Sequence, residues 1–430
     1  MKADFGRRPF RPADILLPQD CDYDKWSVVA CDQYTSQPEY WQRVEERVGR
    51  APSALRLILP ESSLDGPQVE MDIMDINATM AEYLREGRFK TLPGAMIYVE
   101  RTLSGGKTRR GLVGMADLTA YDYEPGSDAL IRATEGVVMS RIPPRVAVRK
   151  NAPIELPHAM LLTDDPRRTV IEPLAAQTDQ MELLYDFDLM EQGGHIKGWL
   201  LGEAQLAQVA AALSALAEPA AFNKKYGTEN QPVMLFAVGD GNHSLATAKE
   251  CYERQKRLVP PERWGTIPAR FALCELVNLH DDSLEFEPIH RVVFHTRPGE
   301  LLDALVRAYP GARRGKMAEP GGLPIRYVWE ESEGVVTLPA GAAQLPVGAL
   351  QNFLDDYLMD HPGRVDYIHG EDVAREFAAR PGNLALLLPP MGKEELFPSV
   401  IHDGALPRKT FSMGEAHDKR FYLEARRIRE

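Results

Sequence analysis

Between Val238 and Leu245 the chain reads Gly239-Asp240-Gly241-Asn242-His243-Ser244, which sets a carboxylate, an amide, an imidazole and a hydroxyl among two glycines. These residue types suit an anion. Glycine permits positive φ and close backbone approach. A helix that starts here would present outward N–H groups and the positive end of its dipole. Asp240 and His243 add acid–base groups beside that position. The plainer alternative is a strand-to-helix turn in which Asp240 caps the helix and His243 is a surface histidine.

For the run to act, a strand must end before it and a helix begin after it. Val233-Met-Leu-Phe-Ala-Val238 has the apolar density of a buried strand, and Leu245, Ala248 and Tyr252 are spaced for one helical face. Residues 223–230 are polar and predict a loop leading into that strand. Upstream, Leu206, Val209, Leu213 and Leu216 line one side of an alanine-rich helix. Phe271–Asn278 and Leu384–Leu388 read as further buried strands. Met96–Thr102 with Gly111–Asp117, and Glu182–Phe187 with His195–Leu201, read as hairpins.

Two further blocks carry cations. In the first, Thr134-Glu135-Gly136 is followed by Arg141, Arg145 and Arg149 at intervals of four, a helical spacing. Pro143-Pro144 in its middle argues against a helix, so an extended or mixed segment is expected. In the second, Glu287–Phe294, His290 and Arg291 alternate across a strand, and the simplest reading leaves one face exposed. The opening segment 10–18 reads as an extended arm, Trp26–Cys31 as a short strand, and helices are expected from Pro38 and from Asn77. Residues 300–360 alternate helix and strand around a Pro/Gly-rich stretch, 309–323, read as a flexible insertion. The expected organisation is a mixed α/β protein in three consecutive segments, 1–150, 151–300 and 301–430.

Composition narrows the function classes. The 430 residues are 44% apolar and 26% charged, as in globular proteins, and 63 acidic against 50 basic residues give a net charge of −13. That balance disfavours a nucleic-acid-coating protein. No apolar run approaches a membrane span and residues 1–10 lack a secretory pattern, so a cytoplasmic protein without a membrane partner is expected. The four cysteines form no C-x-x-C and are expected as reduced thiols. A P-loop, an H-E-x-x-H helix and a G-x-S-x-G elbow are all missing. Gly239-x-Gly241-x-x-Ser244 approaches a dinucleotide fingerprint, but its third position is serine and Pro260-Pro261-Glu262 stands where a strand-ending acid belongs. His280-Asp281, His402-Asp403 and His417-Asp418 read as solvated loop pairs.

Val238-Gly-Asp-Gly-Asn-His-Ser-Leu-Ala-Thr-Ala248 resembles the D-G-H-H-R-type segment of the bacterial and archaeal proteins grouped as domain of unknown function 1015. Thr134-Glu135-Gly136 with its arginines, Pro288-Ile-His290-Arg291-Val-Val and Leu406-Pro-Arg-Lys409-Thr fit the same family in the same order. Asn242 stands where a histidine is common and Ser244 where an arginine is common, so any role of that arginine is lost or supplied elsewhere. The turn is similar in its signature to ParB/sulfiredoxin-like folds, which include free-serine kinases. The resemblance implies a nucleotide-binding core with large elaborations, using ATP or ADP with Mg²⁺. Gly239, Gly241, Asn242 and Ser244 would then face phosphate, with Asp240 on the metal and His243 on the transferred group. Glu135 is the candidate base, and Arg141, Arg145, His290, Arg291 and Lys409 are candidate anion contacts. The implied reaction is phosphate transfer to the hydroxyl of free serine or a similar metabolite. A non-catalytic nucleotide-responsive binding protein and a phosphohydrolase or nuclease are the alternatives, and a homo-oligomer stays open.

Overall fold

The computed structural model describes residues 5–6, 8–35, 37–64 and 66–429. Five of the ten N-terminal positions read for a leader, and Ser36, lie outside them. The chain divides into two compact units, Met1–Ala133 with Val137–Leu284 and Glu415–Glu430, and Thr134–Gly136 with Glu285–Gly414. Both mix helix with sheet, so the protein is α/β.

The first unit is built on a large mixed sheet. Its strands run, in spatial order, Glu182–Asp188, His195–Leu200, Ile97–Thr102, Thr108–Asp117, Phe271–Asn278, Met160–Thr163, Phe236–Asp240, Ile131–Ala133 and Tyr121–Asp122. The hairpins stand as read, antiparallel, at one side of the sheet. Phe271–Asn278 runs parallel to Met160–Thr163, and Phe236–Asp240 runs parallel to Ile131–Ala133. These central strands are buried along most of their length, which explains their unbroken apolar runs. The extended arm pairs through Ala13–Pro18 with Phe89–Ala95.

Several elements differ from the sequence reading. Ile142–Arg149 is a helix, because Pro143 and Pro144 fall in its first turn, where a missing N–H costs no intrahelical bond. Part of the expected 223–230 loop belongs to the helix Pro219–Tyr226, which starts on a proline and ends on left-handed Gly227. The second helix begins at Val69, ahead of Asn77. The 26–31 strand shrinks to Val28–Val29 after a short helix, Tyr23–Trp26. His402 lies in the helix Lys393–Asp403, not in a loop.

The second unit holds an antiparallel sheet in the order Arg313–Gly315, Ser332–Leu338, Leu323–Trp329, Leu384–Leu387, Phe286–Phe294 and Arg364–His369. Arg313–Gly315 falls inside the expected flexible insertion and is paired with Ser332–Leu338. The helix Glu371–Ala378 packs on one face through Ala374 and Ala378 against Val292, Val328, Ala385 and Leu387. Gln351 of the helix Pro346–Asp360 reaches Arg291 on the other face. Both faces are therefore covered, and His290 and Arg291 are 3% and 0% exposed, in place of the one open face expected.

Candidate functional site

The central strand runs two residues further than read, to Asp240, which leaves only Gly241 between strand and helix. Gly241 is the N-cap, with φ 74° and ψ 30°, in the left-handed region that favours glycine. It also packs closely: a Cβ there would lie 2.9 Å from Ala159 Cα. Asp240 Oδ1 accepts the Gly241 N–H at 2.9 Å, so the carboxylate braces the turn. The helix Asn242–Lys256 has no side-chain cap at its N-terminus and buries Leu245, Ala248 and Tyr252, the face read from their spacing. This geometry leaves the positive end of a 15-residue helix beside Asp240.

Three chain segments that the sequence reading did not connect converge on this turn. Lys419 Nζ lies 3.3 Å from Asp240 Oδ2, with both side chains mostly buried. Val28–Val29 pairs antiparallel with Phe421–Tyr422, which brings the following Cys31 and Asp32 to the C-terminal segment. His158, directly before the Ala159 that packs on Gly241, lies with Nε2 4.0 Å from Asp32 Oδ2. Tyr422 Oη sits 2.8 Å from His158 Nδ1 and 3.1 Å from Cys31 Sγ, and accepts the Cys31 N–H. Burial alone would raise the Asp32 carboxyl, but His158, a hydrogen bond from Gln33 and Lys419 hold it below the usual carboxylate range. Burial pushes the Cys31 thiol up to about 12, with Asp32 adding to the rise, so this cysteine is a poor nucleophile.

The residues read from sequence fall into two sets. Gly239, Asp240, Gly241, Asn242, His243, Ser244, Arg141 and Arg145 belong to the first unit. His243 Nε2 accepts the Val138 N–H at 3.2 Å, which puts a ring proton on Nδ1 when the imidazole is neutral. Asn242 Nδ2 donates to Val238 O at 3.4 Å. Arg145 donates to Arg141 O at 2.8 Å and pairs with Glu61, whose own N–H donates to Cys31 O at 2.8 Å. The Asp32 carboxylate acts on Arg145, which therefore borders the same cluster, while Arg141 is exposed.

Glu135, His290, Arg291 and Lys409 belong to the second unit. Glu135 forms a parallel bridge with Leu406. Arg291 is enclosed by its own chain. Its Nε donates to Gln351 Oε1, Nη1 to the carbonyls of Ile289 and Lys409, and Nη2 to that of Arg408, all at 2.6–3.1 Å. Burial pulls this guanidinium down to about 10. Its donors thus hold the 408–409 backbone, where Lys409 adopts φ 57°. Nothing in the sequence separates such an arginine from an anion clamp.

The four cysteines are free. Among the described residues no helix is long and apolar enough to cross a membrane.

The fold and this turn define an α/β protein with a mostly buried polar site at the N-terminus of a sheet-packed helix. The chain belongs to the family described as protein of unknown function DUF1015, whose profile matches residues 9–352. No curated protein matches it. Among solved structures, a free serine kinase variant in complex with ADP is similar over 72% of this chain and 91% of its own, with 10% identity and a TM-score of 0.40. A conserved hypothetical protein from Pyrococcus furiosus is similar over 73% and 94%, with 10% identity and a TM-score of 0.37. SbnI with a C-terminal truncation, from Staphylococcus aureus, is similar over 70% and 82%, with 7% identity and a TM-score of 0.37.

Proposed function

We propose that the first unit binds the phosphates of a nucleotide, ATP or ADP, on the Gly241 turn and transfers a phosphoryl group to the hydroxyl of a small metabolite such as free serine. The observation that carries this reading is the meeting of Lys419, Asp240 and the N-terminus of the helix Asn242–Lys256 around a left-handed glycine. An ammonium and a helix N-terminus are complementary to phosphate oxygens. Phosphoryl transfer further asks for carboxylates to hold Mg²⁺ and to take the hydroxyl proton. Asp240 and Asp32 supply hard oxygen donors suited to that ion, which typically binds through one or two carboxylates. A bound nucleotide would supply the phosphoryl group. The chain's part is to orient it on Lys419 and the turn backbone and to receive a proton. Asp32, whose carboxyl His158 and Lys419 keep ionised, joins Glu135, which the sequence reading named, as a candidate to receive that proton.

One observation favours a second reading, nucleotide binding without turnover. His243 Nε2 is already committed to the Val138 backbone, and Asp240 to Gly241 and Lys419. Phosphorus NMR of the purified protein with ATP or ADP, Mg²⁺ and a panel of hydroxyl metabolites separates the two. A new phosphomonoester signal that requires an acceptor supports transfer. Saturable nucleotide binding with no new signal supports the second reading, and absence of binding removes both.

A further inference from the structure

The second unit carries a cleft of about 490 Å³, apart from the Gly241 turn of the proposed nucleotide site. It opens on the sheet face that the helix Glu371–Ala378 covers further along, and Gly370 and Glu371 at the start of that helix form one edge. Pockets of this size take small molecules.

The polar groups of the cleft are unevenly satisfied. Glu371 accepts two hydrogen bonds from Arg326, at 2.9 and 3.0 Å, and a third from Arg375 at 2.8 Å. Glu287 is paired with His369 at 2.5 Å. The lining carboxylates therefore already have partners within the protein. His290 differs. It is 3% exposed, and its Nδ1 accepts the Leu388 N–H at 3.2 Å. That bond fixes the tautomer with the proton on Nε2. Among the described residues Nε2 has no protein partner, and the residue lines the cleft. Next to it, Gly370 begins the helix with φ 86° and gives it no side-chain cap. The donors on this edge are a ring N–H and the first-turn N–H groups, beside the first-turn carboxylates of Glu371 and Asp372. The remaining lining is apolar and stiff, from Pro288, Pro324, Leu387, Pro389 and Pro390.

We propose that this cleft is a binding site for a small apolar monocarboxylate, whose carboxylate bridges His290 Nε2 and the N-terminus of the helix Glu371–Ala378 while its hydrocarbon part lies on the prolines. The site is independent of the nucleotide reading, and its test uses no nucleotide. Titration calorimetry of the full chain with 3-methylbutanoate is expected to give saturable binding, at least tenfold tighter than with the neutral 3-methylbutanamide. In His290→Phe the carboxylate should lose at least tenfold in affinity. Because His290 is buried, the ring ¹⁵N–¹H signals of the unsubstituted protein provide a second readout that does not depend on the variant's folding. One Nε2–H resonance should move with 3-methylbutanoate and stay still with the amide. Equal binding of acid and amide, unchanged affinity in a folded His290→Phe, or no saturable binding of 3-methylbutanoate overturns the proposal.

Discussion

The Lys419 ammonium lies 3.3 Å from the Asp240 carboxylate, so the C-terminal segment supplies the cation at the turn that the central strand leads into. In the reading proposed above, that cation is what a phosphate would meet. Lys419→Met is expected to lower nucleotide affinity at least tenfold, about 1.4 kcal/mol. Asp240→Asn should cut turnover by about two orders of magnitude, a typical acid–base or metal-ligand effect. Calorimetry and phosphorus NMR measure the two. Wild-type values in both variants would remove the turn from the mechanism.

Gly241 separates backbone effects from ligand effects. A Cβ added at Gly241 would combine φ 74° with a 2.9 Å approach to Ala159 Cα. Gly241→Ala is therefore expected to destabilise the fold by about 1–3 kcal/mol even without ligand. Urea unfolding reads this directly, and an unchanged midpoint and slope would contradict it.

The thiols should be sluggish. Burial raises Cys21 to about 11 and both Cys31 and Cys274 to about 12, and it raises Cys251 as well. At pH 8 the thiolate fraction of each is small, so a disulfide reagent should label the native protein far more slowly than the urea-unfolded chain. Cys31→Ser should retain activity. Fast labelling of one native cysteine, or loss of all activity in a folded Cys31→Ser, would point to thiol chemistry instead.

Asp164 gives the first unit an acid-sensitive contact. Burial opposes its ionisation, yet hydrogen bonds from His280 at 2.6 Å, Lys225 and Tyr226 hold its carboxyl down to about 2. An unfolded aspartate titrates near 3.9. The folded value is the lower one, so the contribution is fully present above about pH 4 and is lost as pH falls towards 2. It amounts to roughly 2 kcal/mol. The stability difference between wild type and Asp164→Asn, from denaturant curves, should shrink across that window. A difference independent of pH between 6 and 2.5 would show that Asp164 does not titrate as described.

Long periodic elements were legible in the sequence, because apolar spacing decides them. Both hairpins stand where the pattern put them, and the strand-to-helix passage was legible although its strand is Phe236–Asp240, not 233–238. Pro143-Pro144 misled, since proline excludes a helix interior but suits a first turn. The turn residues of the site could be read because they are contiguous. Asp32, His158 and Lys419 could not. Their meeting depends on a ladder of two residues on each side, Val28–Val29 with Phe421–Tyr422, too short to leave a period. Arg291 shows the complementary limit: a guanidinium surrounded by carbonyls has the same letter as one that waits for an anion.

The return of residues 415–429 to the first unit also sets an order of events in synthesis. Lys419 and Tyr422 follow all of Glu285–Gly414 in the chain, while their partners Asp32, His158 and Asp240 precede it. A nascent chain that has emerged only as far as Leu284 has the turn without its ammonium and Asp32 without the Tyr422 segment. The ribosome must therefore deliver the entire second unit before this cluster can close, and the stretch that follows it acts as the clasp.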